Sequence, residues 1–262
     1  MFFRSGILRF VIFLCASLML LHVPLSSEPA SENKKIIIGA CDWEPYTGEK
    51  MKGLGLFSAL SIEALKRAGY ESKIVIYPWA RALIEAREGN IHALLGASYT
   101  EDRINYFSYP EPLWTTKVVF FTSMNNGRNR RFTSVKNLAP ARIGVLNGSN
   151  LVAELSGIEG ITLDKAAAVE LNIKKIAYGR MDYLVEDKTA VEYIIQMKMP
   201  ELKNKIVYLY PPYKKESQYL VFSKKNPGYN KLTADFNRGL KSIINDGTYK
   251  KIVESFGFSC DR

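Results

Sequence analysis

Histidine and cysteine are scarce in this chain of 262 residues, with two and three copies. His22 and Cys15 fall within the first thirty residues, so only His92, Cys41 and Cys260 remain beyond them. One histidine excludes a two-histidine metal site, and the cysteines lack zinc-ligand spacing. A Ser-His-Asp system would have to be built on His92, and no nucleophile-elbow pattern accompanies it. No dinucleotide-type glycine loop follows a strand. Carboxylate pairs stay open as a route to acid–base work. No basic run interleaves with aromatics as a nucleic-acid stacking platform requires. The net charge of +10 therefore reads as a lysine-rich solvated surface. No low-complexity linker interrupts the chain. No cofactor, metal or nucleic acid is expected.

Long apolar runs are also missing, except at the start. There Arg4 and Arg9 precede an apolar stretch, Phe10 to Leu21, short of the roughly 20 residues that cross a bilayer. Ser26, Ser27, Ala30 and Ser31 follow. This is the pattern of a cleaved export signal, expected over residues 1–30, with the mature protein in the periplasm. Cys15 lies inside the apolar stretch, too early for lipid attachment. The remainder is long enough for two lobes with a core each. Export permits a Cys41–Cys260 disulfide, which would tie the C-terminal segment to the first lobe. Two unpaired, partly buried thiols are the alternative.

What is present is an α/β alternation. Strands are expected at Lys35–Gly39, Ser72–Tyr77 and His92–Leu95, with helices at Leu56–Ala68 and Trp79–Glu88 between them. Gly69 and Gly89 stand where helices stop. Val118–Phe121 reads as a further strand, and 125–131 as a polar, basic loop. The pattern then repeats. Strands are expected at Ala141–Leu146, Gly160–Leu163, Tyr183–Val185, Val207–Tyr210 and Tyr219–Phe222. Helices are expected up to Leu155 and over Lys165–Tyr178, Thr189–Met197, Tyr229–Ile244 and Tyr249–Phe256. This order predicts two α/β halves, tail helices returning to the first, and two crossings near Thr115 and Glu216. A binding cleft between lobes follows from it.

Two stretches carry fixed charge next to strand-compatible runs. In Gly96–Arg103 the guanidinium of Arg103 offers a planar fork for a carboxylate, with hydroxyls from Ser98 and Thr100 nearby. A surface arginine paired with Glu101 or Asp102 is the alternative. In Gly179–Asp187, Asp187 can accept charge-assisted bonds from an ammonium. Glu186 and Asp182 compete for that role. Period two puts Asp187 on the face of Tyr183 and Val185, with Glu186 opposite. Gly148-Ser149-Asn150 offers open backbone N–H groups to an anion, or simply a helix cap at Ser149. Trp43, Tyr46 and Trp79 form either an apolar wall or core packing. Arg81 is a candidate second cation, or a surface residue. Opposite charges held apart on two lobes suit a small zwitterion.

Several motifs, in this order, resemble those of the extracytoplasmic solute-binding proteins of ABC transporters, specifically the polar amino-acid-binding family, bacterial solute-binding family 3. They are Trp43-Glu-Pro-Tyr46, Gly89-Asn-Ile-His-Ala-Leu-Leu95, Thr100-Glu-Asp-Arg103, Phe107-Ser-Tyr-Pro110, Ile143-Gly-Val-Leu-Asn-Gly-Ser149, Gly179–Asp187 and Asn245–Ile252. The similarity runs from Lys35 to Phe256. It implies a type II periplasmic-binding-protein clamshell with two hinge strands. Lobe 1 would hold 31–116 and 216–262, and lobe 2 would hold 117–215. Arg103 would grip an α-carboxylate with help from Ser98, Ser149 and Asn150. Asp187 would take the α-ammonium, and Trp43 would line the side-chain pocket. The ligand would be an amino acid or related carboxylate, the partner an ABC permease in the inner membrane, the protein a monomer and not an enzyme.

The chain departs from the family pattern at three places. His92 stands where Asp is frequent, and Gly96 where Ser or Thr is frequent. Pro78-Trp-Ala-Arg-Ala82 resembles a divergent subgroup. Two other readings share the fold: a ligand-sensing module without transport, and a dehydratase-like enzyme using Glu44 or His92.

Overall fold

The computed structural model describes residues 34–126 and 131–260. The expected export signal over 1–30, with Cys15, and residues 127–130 of the basic loop lie outside the described residues.

The first half opens with β1 (Lys34–Ala40), α1 (Leu56–Arg67), β2 (Tyr70–Ile76), α2 (Trp79–Glu88) and β3 (Ala93–Ser98). A short β4 (Phe107–Ser108) and a ten-residue β5 (Trp114–Ser123) follow. The second half holds β6 (Ala141–Leu146), α3 (Asn150–Leu155), β7 (Ile161–Ala166), α4 (Val169–Ala177), β8 (Tyr183–Asp187), α5 (Lys188–Lys198) and β9 (Ile206–Tyr208). The long β10 (Lys214–Ser223) then leads to α6 (Tyr229–Asn245) and α7 (Thr248–Ser255).

The strands run in the order β2-β1-β3-β10-β5-β8-β6-β7, with β4 beside β10 and β9 beside β5. β1 pairs in parallel with β2 and β3, and β6 in parallel with β7 and β8. These sets are joined by the antiparallel strands β5 and β10, which pair with each other over Trp114–Val118 and Lys214–Gln218. Thr116 faces Glu216 in that register. Beyond it β10 turns to β3, and β5 turns to β8. Two strands therefore cross side by side between two parallel-sheet halves, the type II clamshell.

Each half buries both faces of its sheet, so its strands read as near-continuous apolar runs. On β5, Val118 and Phe120 join one core with Ile143 and Val185, while Val119 and Phe121 join the other with Ile173 and Ile194. In the first half Ile36 and Ile38 pack under α1, α6 and α7 with Phe57, Phe236 and Val253. Leu94 and Val221 face α2 through Trp79 and Ala82. Among the described residues no helix is long and apolar enough to cross a membrane.

Two expectations are corrected, and one open choice is decided. The helix expected from Lys165 begins only at Val169, because Lys165 and Ala166 pair with Val145 and Leu146 in the parallel ladder. Sheet pairing overrides the local helical pattern there. The two crossing strands are ten residues each, since hinge pairing extends them through polar sequence that lacks an alternation signal. Cys41 and Cys260 are free. Cys41 packs beside Trp79 and Leu94, whereas Cys260 lies against the separate core under α1 and α6.

Candidate functional site

The site starts where β3 ends. After Ser98 the chain turns through Thr100, whose Oγ1 accepts the Arg103 N–H at 3.2 Å. The Arg103 side chain folds back, and its Nη1 donates to both the carbonyl and the Oγ of Ser98 at 3.0 Å. The guanidinium carbon lies 5.6 Å from the Trp79 ring centroid. Arg103 is only 6% exposed. Burial pulls its pKa below the usual arginine value, and among the described residues it forms no ion pair. A buried cation left without a counter-charge is costly, so an anion reaching it is strongly favoured.

The acidic side is built by β8. Asp187 ends that strand and caps α5: its Oδ1 accepts from the Ala190 N–H at 2.8 Å and from the Tyr46 hydroxyl at 2.9 Å. Its Oδ2 accepts from the Lys117 N–H at 3.1 Å. Burial lifts its pKa to about 6 against the pull of those donors. Glu186 precedes it, and its Oε1 accepts from the Asp187 N–H at 2.8 Å. Burial pushes the Glu186 carboxyl up to about 8. Asp182 accepts from the Arg142 N–H at 2.8 Å and does not line the cavity.

Between the halves lies a cavity of about 60 Å³. Arg103, Ser98, Gly96, Trp43 and Trp79 line it from one half, with Ser149, Asn150, Glu186 and Asp187 from the other. The crossing strands contribute Thr116, Val118, Glu216 and Gln218. Glu216 accepts from the Asn150 amide at 2.7 Å and pairs with Lys214 at 3.0 Å. The Ser149 hydroxyl is buried with no hydrogen-bond partner among the described residues, although Ser149 stands at the N-cap position of α3. One cation thus faces three carboxylates across a space fit for a small polar molecule.

The halves are closed on each other. The Trp79 Nε1–H donates to the Gly148 carbonyl at 3.0 Å, and Tyr46 reaches Asp187. Lys198, at the end of α5, pairs with Glu44 at 3.0 Å. These three contacts bring the loop after β1 and the start of α2 against the second half.

The family model of bacterial extracellular solute-binding proteins, family 3, matches residues 36–259. The chain belongs to that family. No curated protein sequence matches it. Among solved structures, the arginine-, lysine-, histidine-binding protein ArtJ from Geobacillus stearothermophilus aligns with a TM-score of 0.74 at 18% identity, over 87% of this chain and 97% of that one. A histidine kinase sensor domain with similarity to periplasmic binding proteins gives 0.74 at 17% identity, over 86% and 96%. The GluR0 ligand-binding core from Nostoc punctiforme, in complex with glutamate, gives 0.70 at 18%, over 84% and 98%. At such identities the likeness fixes the fold.

Within this family 3 solute-binding protein, Arg103, Ser98, Trp43, Trp79, Ser149, Asn150 and Asp187 come together at the cavity. Thr100 does not line it; it holds the Arg103 backbone and borders an adjoining space. Tyr46 is buried beneath Trp43, stacked on Phe57, and reaches the site only through Asp187. Arg81 is not brought to the cavity: it points along the outer face of α2, bonds Glu85 and is 65% exposed, because helical spacing turns it away from Trp79. His92 accepts from the Ile37 N–H and lies outside the cavity, and Glu44 is engaged by Lys198. Neither supplies an acid or base there.

Gly96 has no partner where the β3–β10 register shifts, and its φ is +78°. It is the extra residue of a β-bulge in a conformation that disfavours side chains, which explains glycine there. Glu216 and Gln218 are lining residues that the sequence does not reveal, because a polar strand gives no local sign of facing a cleft.

Proposed function

We propose that this chain is a periplasmic solute-binding protein that captures a small polar ligand bearing a carboxylate, an amino acid or a related acid, for an ABC importer. The observation that carries this reading is Arg103, buried on the inter-lobe cavity with no carboxylate partner among the described residues. The ligand's carboxylate takes the fork of the guanidinium, with Ser98 beside it. The Ser149 hydroxyl and the Asn150 segment meet it from the other side, so binding draws the halves together. The working units are lobe 1 over 31–116 and 216–262 and lobe 2 over 117–215, with residues 1–30 removed on export. Closure gains population only through contacts made to both lobes. A membrane permease then reads the closed form, and no bond of the ligand changes.

The test is direct binding of carboxylates to the purified mature protein, by calorimetry and thermal shift. Arg103→Ala should weaken the binding of every carboxylate by about 30-fold or more, the cost of removing one partner of a buried charge pair. Its ligand-free melting temperature should stay within a few degrees of the parent. Unchanged affinity in this variant sinks the reading. The likeness to a sensor domain favours one second reading, the same capture step coupled to signalling. A permease pull-down in the presence of ligand separates the two. Turnover of a bound acid would point to the dehydratase-like alternative.

A further inference from the structure

The cavity offers three carboxylates, and their surroundings differ. Glu216 is already engaged by Lys214 and by the Asn150 amide. Asp187 is committed to the protein. It accepts from the Tyr46 hydroxyl and from the Ala190 and Lys117 N–H groups. A carboxylate has roughly four acceptor positions, so most of those of Asp187 are taken by the protein. It is 1% exposed, and any bond it gave up would loosen the start of α5 or the Tyr46 contact between the halves.

Glu186 is in the opposite condition. Its Oε1 accepts from the Asp187 N–H at 2.8 Å, and the Trp43 side chain lies beside it on the cavity. That leaves at least half of its acceptor capacity open. It forms no ion pair with any described residue. Yet it is buried and lines the cavity with Cys41 and Trp43. Apart from Arg103 across the cavity, the groups near it are acidic or neutral: Asp187 beside it on β8, Glu216 on β10 and the Cys41 thiol at the end of β1. Burial alone already makes its charged form costly, and these neighbours add to the cost.

We infer that Glu186, and not Asp187, is the counter-charge for a cationic group of the ligand. The ligand is then a small molecule carrying a compact cation, such as a primary ammonium, as well as the carboxylate held by Arg103. The inference rests on the Arg103 reading above. It moves the ammonium contact one residue back along β8, onto the side chain that Trp43 covers. Asp187 becomes a positioning residue that fixes β8, α5 and Tyr46. Its effect on affinity passes through closure.

The experiment compares wild type, Glu186→Gln and Asp187→Asn by calorimetry and thermal shift. The probes are the twenty common L-amino acids, with acetate, propionate and succinate as carboxylates that lack an ammonium. Wild type is expected to bind at least one amino acid, and the ammonium-free acids about 30-fold more weakly or worse. Glu186→Gln should lose a similar factor for the amino acid and keep its affinity for the simple acids within about threefold. Its ligand-free melting temperature should not fall. Asp187→Asn should lower the ligand-free melting temperature and should retain the preference for amino acids over simple acids. The inference is overturned, with the carboxylate-binding role intact, if Glu186→Gln binds the amino acid like wild type. Equal affinity of wild type for simple acids and amino acids overturns it too. Binding of no probe by wild type sinks both readings together.

Discussion

The indole N–H of Trp79 and the carbonyl of Gly148 meet at 3.0 Å across the cleft. The first belongs to the start of α2, the second to the turn between β6 and α3. A Cβ at Gly148 would stand 3.1 Å from the Cβ of Ala80, so the two halves touch here with no room for a side chain. Arg103 sits under the same indole. The residue that covers Arg103 is therefore also a clasp between the halves.

Trp79→Phe keeps the ring over Arg103 and removes the clasp. One hydrogen bond is worth about 0.5–1.5 kcal/mol net. Affinity for a carboxylate ligand should fall about 2- to 10-fold. Small-angle scattering of the ligand-free protein should report a larger radius of gyration. If both quantities match the parent, the bond does not hold the clamp.

The two acids of β8 make stability depend on pH. Burial raises both above their unfolded values, Glu186 to about 8 and Asp187 to about 6. The folded state then holds those protons more tightly. Their stabilisation is complete below the unfolded carboxylate values and is lost as pH rises through the folded ones. His92, whose pKa burial lowers, acts in the opposite sense below its unfolded value of about 6.5. The clean window for Glu186 is therefore about pH 7 to 8.5. Urea denaturation of the ligand-free protein should show stability falling across that window, and Glu186→Gln should flatten the fall. A flat profile in the parent would contradict the burial of Glu186.

Gly239 lets α6 lie on α1. A Cβ there would come within 2.0 Å of the Ala64 carbonyl oxygen, and a backbone atom cannot step aside as a side-chain tip can. Gly239→Ala should cost about 1–3 kcal/mol through forced separation of the helices. For a domain of this size that lowers the melting temperature by about 2–12 °C. A variant that melts with the parent would show that the helices can part freely.

Cys41 and Cys260 are both free, so reducing agent should leave the melting temperature of a protein spanning residues 31–262 unchanged. Cys41 is 9% exposed, and burial, with Glu186 adding to it, pushes its pKa up to about 12. It should resist thiol reagents at neutral pH until urea unfolds the protein. A disulfide-linked peptide pair in a non-reducing digest would overturn this.

Much of the fold is written in local sequence. Apolar runs such as Ile36–Ile38 and Ile143–Val145 announce strands buried on both faces, and Gly69 and Gly89 mark helix ends. The segment from Lys165 was misleading because its helical spacing is genuine, but the edge of β6 offers a partner for its first residues. The hinge strands were only half legible. Lys214–Gln218 is polar, and its pairing with Trp114–Val118 comes from chain partners about a hundred residues away. At the site, Arg103 and Trp43 stood out because each lies in a motif beside a strand end. Arg81 had the right chemistry and the wrong side of its helix.

By itself the sequence determined the alternation of strands and helices, the family and the presence of one fixed cation and several acids near strand ends. Those follow from periodicity and residue type, which act over a few positions along the chain. Only the tertiary structure decided which acid is spoken for. Tyr46, Lys117 and Ala190 converge on Asp187 from three different elements, while Glu186 meets Trp43 and the open cavity. The choice between two adjacent carboxylates depends on which donors the fold carries to each, and Tyr46 and Lys117 come from 141 and 70 residues away.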